Sequence, residues 1–206
     1  MKTLFVALTV SLGLCAAAHA DSLIDGSPDD GQAKSLTCGA CHGTDGNSVN
    51  PEWPSLAGQH AAYAYQQLNA FKNGERVNAL MSGQAMLLAE QDMRDLAVYF
   101  ESQAPAARAV ADASTVDKGE AIYRGGDREA GVSACIACHG PNGRGNPAAN
   151  YPSIAGQYAV YTAKQLRDYA SGARKSVGAV QSMRDIAARL SEEDIAAVAS
   201  YIQGLY

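Results

Sequence analysis

One pentapeptide occurs twice in the chain, as Cys38-Gly39-Ala40-Cys41-His42 and as Cys135-Ile136-Ala137-Cys138-His139. Each copy reads C-x-x-C-H, which is the attachment signature of c-type haem. The chemistry needs this spacing because two cysteine sulfurs form thioether bonds to the two vinyl groups of one porphyrin. The adjacent histidine then supplies the proximal nitrogen ligand to the iron. The sequence therefore predicts two covalently bound haem c groups, one in each half of the chain.

Residues 1–20 have the organisation of a secretory signal peptide. A positive charge near the start is followed by the short apolar segment Leu4–Leu14 and by Ala18-His19-Ala20, an A-x-A cleavage pattern. The apolar segment is too short to span a membrane comfortably. We therefore expect export to the periplasm and a mature chain that starts at Asp21. A lipoprotein anchored through Cys15 is the competing interpretation, although leucine precedes this cysteine where a lipoprotein signal requires a small residue.

Three other uses of the cysteines compete with haem attachment. The mature chain holds four cysteines, all of them inside the two motifs. In an oxidising compartment each pair could close into a disulfide. Thioredoxin-like redox sites share C-x-x-C but belong on a βαβ pattern, and closed zinc sites need four clustered ligands where each motif offers three. Haem attachment is favoured because it also explains the histidine and the duplication.

The two halves of the chain are one unit used twice. CGACHG at 38–43 matches CIACHG at 135–140, and PSLAGQ at 54–59 matches PSIAGQ at 152–157. Closer to the end of each half the offset becomes 102, where, for example, Leu88 matches Leu190. We predict two domains, 21–105 and 106–206, joined by an alanine-rich linker at about 102–115.

Apolar periodicity predicts an all-α fold with three helical segments in each unit. The predicted segments are 30–40, 60–73 and 90–103 in the first half, and 116–124, 158–171 and 192–203 in the second half. A glycine-rich insertion, 125–131, is present only in the second half. Ser191 with Asp194 resembles a capping box at the start of the last helix. Its counterpart Ala89 cannot cap, so that helix start lacks about 1 kcal/mol of capping energy.

The sixth iron ligand must come from the segment between the second and third helices. Histidine is too scarce, because the one mature histidine outside the motifs is His60, which we interpret as a polar residue at a helix start. Methionine remains, and Met183 is the one candidate in the second half. Met183 and Met81 lie equally far before matching leucines, which favours Met81 in the first half. Met86 is the second choice there, and Met93 is more simply a core residue.

The two halves resemble class I cytochrome c domains, and the whole mature chain is similar to the dihaem cytochrome c4 family of the bacterial periplasm. The resemblance rests on the paired haem motifs, the PSLAGQ and PSIAGQ segments, the Met-to-Leu-to-Tyr spacing and the ending SYIQGLY. It implies a tandem pair of all-α domains related by a pseudo-twofold axis, with the haems close across the interface. It also implies His/Met ligation of both irons. Pro54 and Pro152 begin segments similar to those that fix the axial imidazole, where a carbonyl could accept the ring N–H.

The resemblance further implies a carrier of single electrons, not an enzyme. The expected partners are redox proteins, either a respiratory complex or a terminal oxidase, with loose membrane association and with neither a nucleic acid nor a small-molecule substrate. Two alternatives stay open. One is the electron-accepting dihaem subunit of a flavocytochrome such as a sulfide dehydrogenase. The other is a dihaem peroxidase, which would need an openable haem and normally a longer chain.

Charge is distributed unevenly between the halves. Residues 21–105 contain four Lys/Arg and eleven Asp/Glu, a net charge of −7, whereas residues 106–206 contain eleven and ten, a net charge of +1. Negative charge stabilises Fe(III) over Fe(II), although salt screens much of the effect of surface charges. What remains is on the order of 1 kcal/mol, or some tens of millivolts. We therefore predict the lower reduction potential for the N-terminal haem.

Overall fold

The computed structural model describes residues 23–175 and 181–206. The predicted signal peptide lies outside the described residues. Within them the structure is all-helical, and extended pairing is limited to two isolated antiparallel bridges, Asp127 with Val132 and Asn146 with Tyr151. The all-α expectation is confirmed. None of the described helices combines the length and the apolar character needed to cross a membrane.

The described residues of each half form five α-helices. Those of the first half are α1 (Pro28–Lys34), α2 (Leu36–His42), α3 (Ala61–Lys72), α4 (Ala79–Met86) and α5 (Glu90–Ser102). Those of the second half, which follow a short 3-10 turn (Ala113–Thr115), are α6 (Val116–Gly125), α7 (Ile136–His139), α8 (Ala159–Ser171), α9 (Ser182–Ala187) and α10 (Glu192–Gln203). The main packing contacts between helices join partners within one half.

The first and last helices of each half cross at a glycine. A Cβ atom added to Gly31 of α1 would lie 2.1 Å from the backbone oxygen of Asp95 in α5. A Cβ atom added to Gly119 of α6 would lie 2.4 Å from the backbone oxygen of Ala197 in α10. A backbone oxygen cannot move aside unless its helix moves, so the absence of a side chain is what permits this close approach.

The predicted apolar stripes of α5 and α10 form the core. All eight positions are at most 4% exposed: Met93, Leu96, Ala97 and Phe100 in α5, and Ile195, Val198, Ala199 and Ile202 in α10. Met93 is therefore a core residue, as the sequence indicated. Burial of one stripe per helix is the main reason these segments are stable as helices, since propensity alone rarely suffices.

The same last helices also fix the start of the second helical segment in each half. The backbone N–H of Ala61 donates to Oε1 of Glu101 at 2.9 Å, and that of Ala159 donates to Oε1 of Gln203 at 2.9 Å. These side chains satisfy a donor that a helix start otherwise leaves unpaired. The preceding residues, His60 and Tyr158, make no side-chain capping bond.

The prediction of one helix over residues 30–40 was wrong. The chain breaks at Ser35, where α1 ends and α2 begins. The hydroxyl of Ser35 donates to the backbone oxygen of Gln32 at 2.8 Å. A serine that bonds the preceding turn competes with the helix ladder, and the haem motif therefore lies on a separate short helix, α2.

Two short helices, α4 and α9, were not predicted. Each contains a candidate methionine ligand. Asn78 begins α4 by accepting hydrogen bonds from the backbone N–H groups of Leu80 and Met81, both at 3.0 Å. Asparagine is a preferred N-cap residue, so this signal was present in the sequence.

Candidate haem-binding sites

Each haem motif lies at the end of a short helix. The helix α2 ends at His42 and α7 ends at His139. Glycine follows both, with φ of 82° at Gly43 and 75° at Gly140. At Gly43 an added Cβ would lie 2.3 Å from the backbone oxygen of Asn47. Both positions have a backbone conformation that glycine adopts without strain, and at Gly43 the nearby backbone also leaves no room for a side chain.

The cysteines of both motifs are free thiols and are partly buried. Burial raises the pKa of Cys38 and raises that of Cys135 to about 11. Both groups are therefore neutral thiols near pH 7 in the haem-free chain. The two cysteines of a motif lie one helical turn apart and so face the same side. This arrangement fits the attachment of one porphyrin by two thioether bonds.

The two motif histidines are buried and held in the same way. Nδ1 of His42 lies 2.8 Å from the backbone oxygen of Pro54, and Nδ1 of His139 lies 3.0 Å from that of Pro152. A carbonyl can only accept, so each Nδ1 carries the proton and each Nε2 lone pair is left for a metal. The expected role of the proline segments in fixing the imidazoles is confirmed by these contacts.

The electrostatic state of the histidines also suits metal binding. Burial lowers the pKa of both His42 and His139, although the hydrogen bond to the proline carbonyl opposes the shift. Both imidazoles are therefore neutral near pH 7, which is the form that ligates iron. Each histidine is only 7% exposed.

The proline carbonyls are themselves positioned by equivalent backbone contacts. The N–H groups of Leu56 and Ala57 donate to the oxygen of Gly46 at 2.7 and 3.1 Å. In the second half the corresponding bonds run from Ile154 and Ala155 to Gly143, at 2.7 and 3.0 Å. Both glycines have positive φ. The repeated PSLAGQ and PSIAGQ segments thus have one structural role in both domains.

The candidate methionines occupy different environments. Met81 lies partly buried in the first turn of α4, and Met183 lies partly buried in α9 against the core of the second half. Met86, at the end of α4, is 66% exposed. The segment 176–180, which precedes α9, lies outside the described residues.

His60 has a role that the sequence did not reveal. Its Nε2 donates to the backbone oxygen of Arg144 in the other half at 2.7 Å. Its counterpart Tyr158 donates to the backbone oxygen of Ser48, again across the interface, at 2.8 Å. Both residues start a helix, as predicted for His60, but their side chains join the two halves.

Two arginines form a second contact between the halves that sequence reasoning missed. Arg174, only 6% exposed, donates to Tyr63, Gln67 and Gln165 at 2.7–3.0 Å. Arg76 donates to Gln67, Gln165 and Tyr161 at 2.8–3.1 Å. All these partners are neutral amides and phenols, and Nε of Arg174 is buried without a hydrogen-bond partner among the described residues. The residue spacing within one half does not predict this cluster, because its members come from both halves.

Comparison with known proteins agrees with this geometry. The Cytochrome c family model matches residues 29–104 and 116–206. Cytochrome c4 of Pseudomonas aeruginosa is 46% identical over the whole of both chains. The crystal structure of reduced recombinant cytochrome c4 from Pseudomonas stutzeri matches with a TM-score of 0.85 and 43% identity, over 88% of this chain and all of that chain.

A more distant relative is the thiosulfate dehydrogenase electron acceptor of Thiomonas intermedia. It is 34% identical over 82% of this chain and 78% of its own. The paired Cys-x-x-Cys-His motifs, the matching His–Pro contacts and the full-length similarity agree with one another. This chain therefore belongs to the cytochrome c4 family, a family of electron carriers built from two cytochrome c domains with two covalently bound haem c groups.

Proposed function

We propose that the protein is a periplasmic carrier that takes single electrons from a respiratory complex and delivers them to a terminal oxidase. The observation that carries the proposal is the equivalence of the two sites. Each half presents two thiols and a neutral, buried histidine whose Nδ1–H is already committed to a proline carbonyl. Two such sites in one chain favour a role in electron transfer over the conversion of a substrate.

The proposed axial ligands are His42 with Met81 and His139 with Met183. When bound, haem supplies the one-electron iron couple. The histidines contribute nitrogen donors held in one tautomer, and the methionines contribute thioethers, which favour Fe(II) and raise the reduction potential. The partial burial of Met81 and Met183, against the exposure of Met86, supports this assignment.

The cysteine pairs Cys38 with Cys41 and Cys135 with Cys138 are the proposed attachment points. A further feature that supports haem binding is the pair of interface arginines, Arg76 and Arg174. Their hydrogen-bond partners among the described residues are all neutral, and a buried guanidinium is stable only when its charge is balanced. Haem carries two propionate carboxylates, which are anions of the kind this cluster would accept.

We also propose a domain boundary near residues 105 and 106, with the linker at about 102–115. The helix pairs that pack together lie within each half, which supports this division. Arg108 in the linker donates to the backbone oxygen of Gly156 at 2.6 Å and to Oγ of Ser55 at 3.1 Å. The linker therefore fastens both halves.

Purification tests the proposal directly. The pyridine haemochrome assay on protein isolated from the periplasm should return two haems per chain. Visible and near-infrared spectra of the native protein should show that both haems are low-spin with His/Met ligation. One haem per chain, or bis-histidine spectra, would contradict the ligand assignment. Rapid oxidation of the reduced protein by membranes that contain a terminal oxidase is expected, and its absence would contradict the proposed acceptor.

A dehydrogenase partner is the second candidate function. The similarity to an electron acceptor of a thiosulfate dehydrogenase favours it over the flavocytochrome-subunit alternative that the sequence left open. A dehydrogenase that co-purifies with the chain and reduces it would support this function. The peroxidase alternative is not supported, because the family consists of electron carriers.

A further inference from the structure

Two glutamines form a reciprocal pair of contacts across the interface. Oε1 of Gln157 accepts from the backbone N–H of Ser55 at 3.0 Å, and Nε2 of Gln157 donates to the backbone oxygen of Ser55 at 3.0 Å. In the opposite direction, Gln59 accepts from the N–H of Ser153 at 3.0 Å and donates to its backbone oxygen at 2.8 Å. Each side-chain amide thus binds both backbone groups of a residue in the other half.

The contacted residues follow the prolines that hold the axial histidines. The Pro54–Ser55 peptide accepts from Nδ1 of His42 through its oxygen and donates to Gln157 through its nitrogen. The Pro152–Ser153 peptide does the same between His139 and Gln59. One peptide group therefore separates each imidazole from a glutamine of the opposite domain.

Hydrogen bonds at the two ends of one amide reinforce each other. When the N–H donates to a good acceptor, the carbonyl oxygen becomes more negative and accepts more strongly. A stronger acceptor at Nδ1 makes the imidazole a more basic ligand. A more basic ligand stabilises Fe(III) and lowers the reduction potential.

The glutamines are positioned from their own domains. Oε1 of Gln59 also accepts from the backbone N–H of His60 at 3.0 Å, and Oε1 of Gln157 accepts from that of Tyr158 at 3.1 Å. Each amide is therefore anchored at the start of α3 or α8. A change in how the halves sit against each other would change the length of the bonds to Ser55 and Ser153.

We propose that Gln157 and Gln59 are positioning residues that tune the axial histidine of the opposite domain, so that each haem's potential depends on contact with the other half. The proposal rests on histidine ligation by His42 and His139. The low-spin haem spectra test that ligation separately, so failure of the ligand assignment and failure of this coupling are distinguishable.

The test compares three substitutions in the intact dihaem protein: Gln157→Met, Gln59→Met and the control Gln66→Met. Methionine keeps the side-chain length but removes the amide. Gln66 also bonds across the interface, accepting from Nδ2 of Asn150 at 2.9 Å, but that bond involves no peptide of an axial-histidine contact. Each wave in a potentiometric titration is assigned to its haem by nuclear Overhauser contacts with residues of its own half.

Gln157→Met should raise the potential of the N-terminal haem and leave the C-terminal haem unchanged. The expected change is roughly threefold in the Fe(II)/Fe(III) ratio at fixed potential, or ~30 mV at 59 mV per tenfold. Gln59→Met should instead raise the reduction potential of the C-terminal haem. Gln66→Met should change the potential of neither haem. The proposal would be overturned if the potential changed only for the haem of the half that carries the substitution. It would also be overturned if Gln66→Met changed the potential by the same amount.

Two further measurements separate tuning from general loosening. In reduced protein labelled with ¹⁵N-histidine, the Nδ1–H proton of His42 should exchange faster in Gln157→Met, while that of His139 should not. Gln157→Glu keeps an acceptor for the Ser55 N–H, so the N-terminal potential should not rise relative to Gln66→Glu. A rise as large as that in Gln157→Met would mean that lost packing, not the lost acceptor, moves the potential.

Discussion

The two halves of the molecule agree closely at the proposed haem sites and differ elsewhere. The histidine–proline contacts are 2.8 and 3.0 Å long, and the supporting bonds to Gly46 and Gly143 match in both length and order. Net charge, by contrast, is −7 in the first half and +1 in the second. The comparison teaches that the repeat preserves the contacts of the proposed haem ligands, while the rest of each domain diverges.

The divergence is clearest where the first and last helices cross. In the first half Asp95 is buried and accepts from Nζ of Lys34 at 2.7 Å, from the backbone N–H of Ser27 at 2.9 Å and from Gln91 at 2.9 Å. The position that matches Asp95 in the second half is Ala197. Both crossings have an ion pair near their start, Lys34 with Asp92 at 2.8 Å and Lys118 with Asp194 at 3.0 Å, but the buried carboxylate is present in the first half and is replaced by alanine in the second.

The second half also carries the predicted glycine-rich insertion, 125–131. It forms a tight antiparallel turn in which Asp127 and Val132 exchange backbone hydrogen bonds at 2.9 and 2.7 Å. Arg189, just after α9, donates to the backbone oxygen of Gly131 at 2.7 Å. The insertion therefore packs against the proposed ligand segment of the second haem, with no equivalent in the first half's sequence.

The largest expected effect comes from removing the proposed methionine ligands. Met81→Ala should turn the N-terminal haem high-spin and open it to cyanide, while the C-terminal haem stays low-spin. Met183→Ala should do the reverse, because each methionine serves one iron. Visible absorption spectra with and without cyanide measure both effects. Met86→Ala is the control, and an opened N-terminal haem in that variant would mean that Met86 is the ligand.

The glycines at the helix crossings should be equally important in both halves. Gly31→Ala and Gly119→Ala should each lower the free energy of unfolding by roughly 1–3 kcal/mol, because the new Cβ meets a backbone oxygen. Denaturant unfolding followed by haem absorbance measures this loss. Gly83→Ala in α4 is the control, since nothing lies within 4 Å of its added Cβ. Wild-type stability in Gly31→Ala would contradict the tight crossing.

The buried carboxylate of Asp95 should make the first-half crossing sensitive to acid. Burial by itself raises the pKa of Asp95, but hydrogen bonds from Lys34, the Ser27 N–H and Gln91 outweigh it and lower the pKa to about 2. The folded pKa lies below the unfolded one, so the stabilisation is present above about pH 4 and is lost as pH falls toward 2.

Asp95→Asn should therefore cost on the order of 2 kcal/mol at pH 7, and the difference from wild type should shrink as the pH is lowered. Urea unfolding at several pH values measures the trend. A difference that is constant between pH 7 and pH 3 would show that Asp95 stabilises the fold by packing and not through its charge.

Helix capping predicts two smaller changes in stability, which have opposite signs. Ser191 starts α10 with a full capping box, since its Oγ accepts from the Asp194 N–H at 3.1 Å and Asp194 accepts from the Ser191 N–H at 3.0 Å. Ala89 starts α5 with the second of these bonds alone, at 2.8 Å. Ser191→Ala should cost about 1 kcal/mol, and Ala89→Ser should gain about 0.5–1 kcal/mol. Thermal unfolding of the two variants measures the sign of each stability change. Stability changes of the same sign and size in both variants would contradict the difference in capping.

The smallest expected effect is the difference in potential between the haems. The N-terminal haem should have the lower potential by some tens of millivolts, and the gap should narrow at high ionic strength because salt screens the surface charges. Potentiometric titration at low and high salt measures it. Met81→His should lower the potential of its own haem and so assign the waves. If Met81→His instead shifts the wave of higher potential, the predicted order of the two haem potentials is wrong.

The sequence by itself determined the features that depend on short spacing. The motif cysteines and histidines, the buried stripes of α5 and α10 and the capping box at Ser191 are each set by residues within about two turns of one helix. The segments beginning at Pro54 and Pro152 were also identifiable, because the repeat marks them twice. These local patterns were sufficient to establish the family and both cofactors.

Only the tertiary structure decided the features that join distant parts of the chain. The contact of His60 with Arg144 and the bonds of Gln59 and Gln157 to serines of the opposite half follow no periodicity. A glutamine near a helix start looks like any polar surface residue until the second domain is placed against it. Pairing across the interface depends on how two complete domains fit together, and that fit is set by their whole surfaces rather than by local sequence.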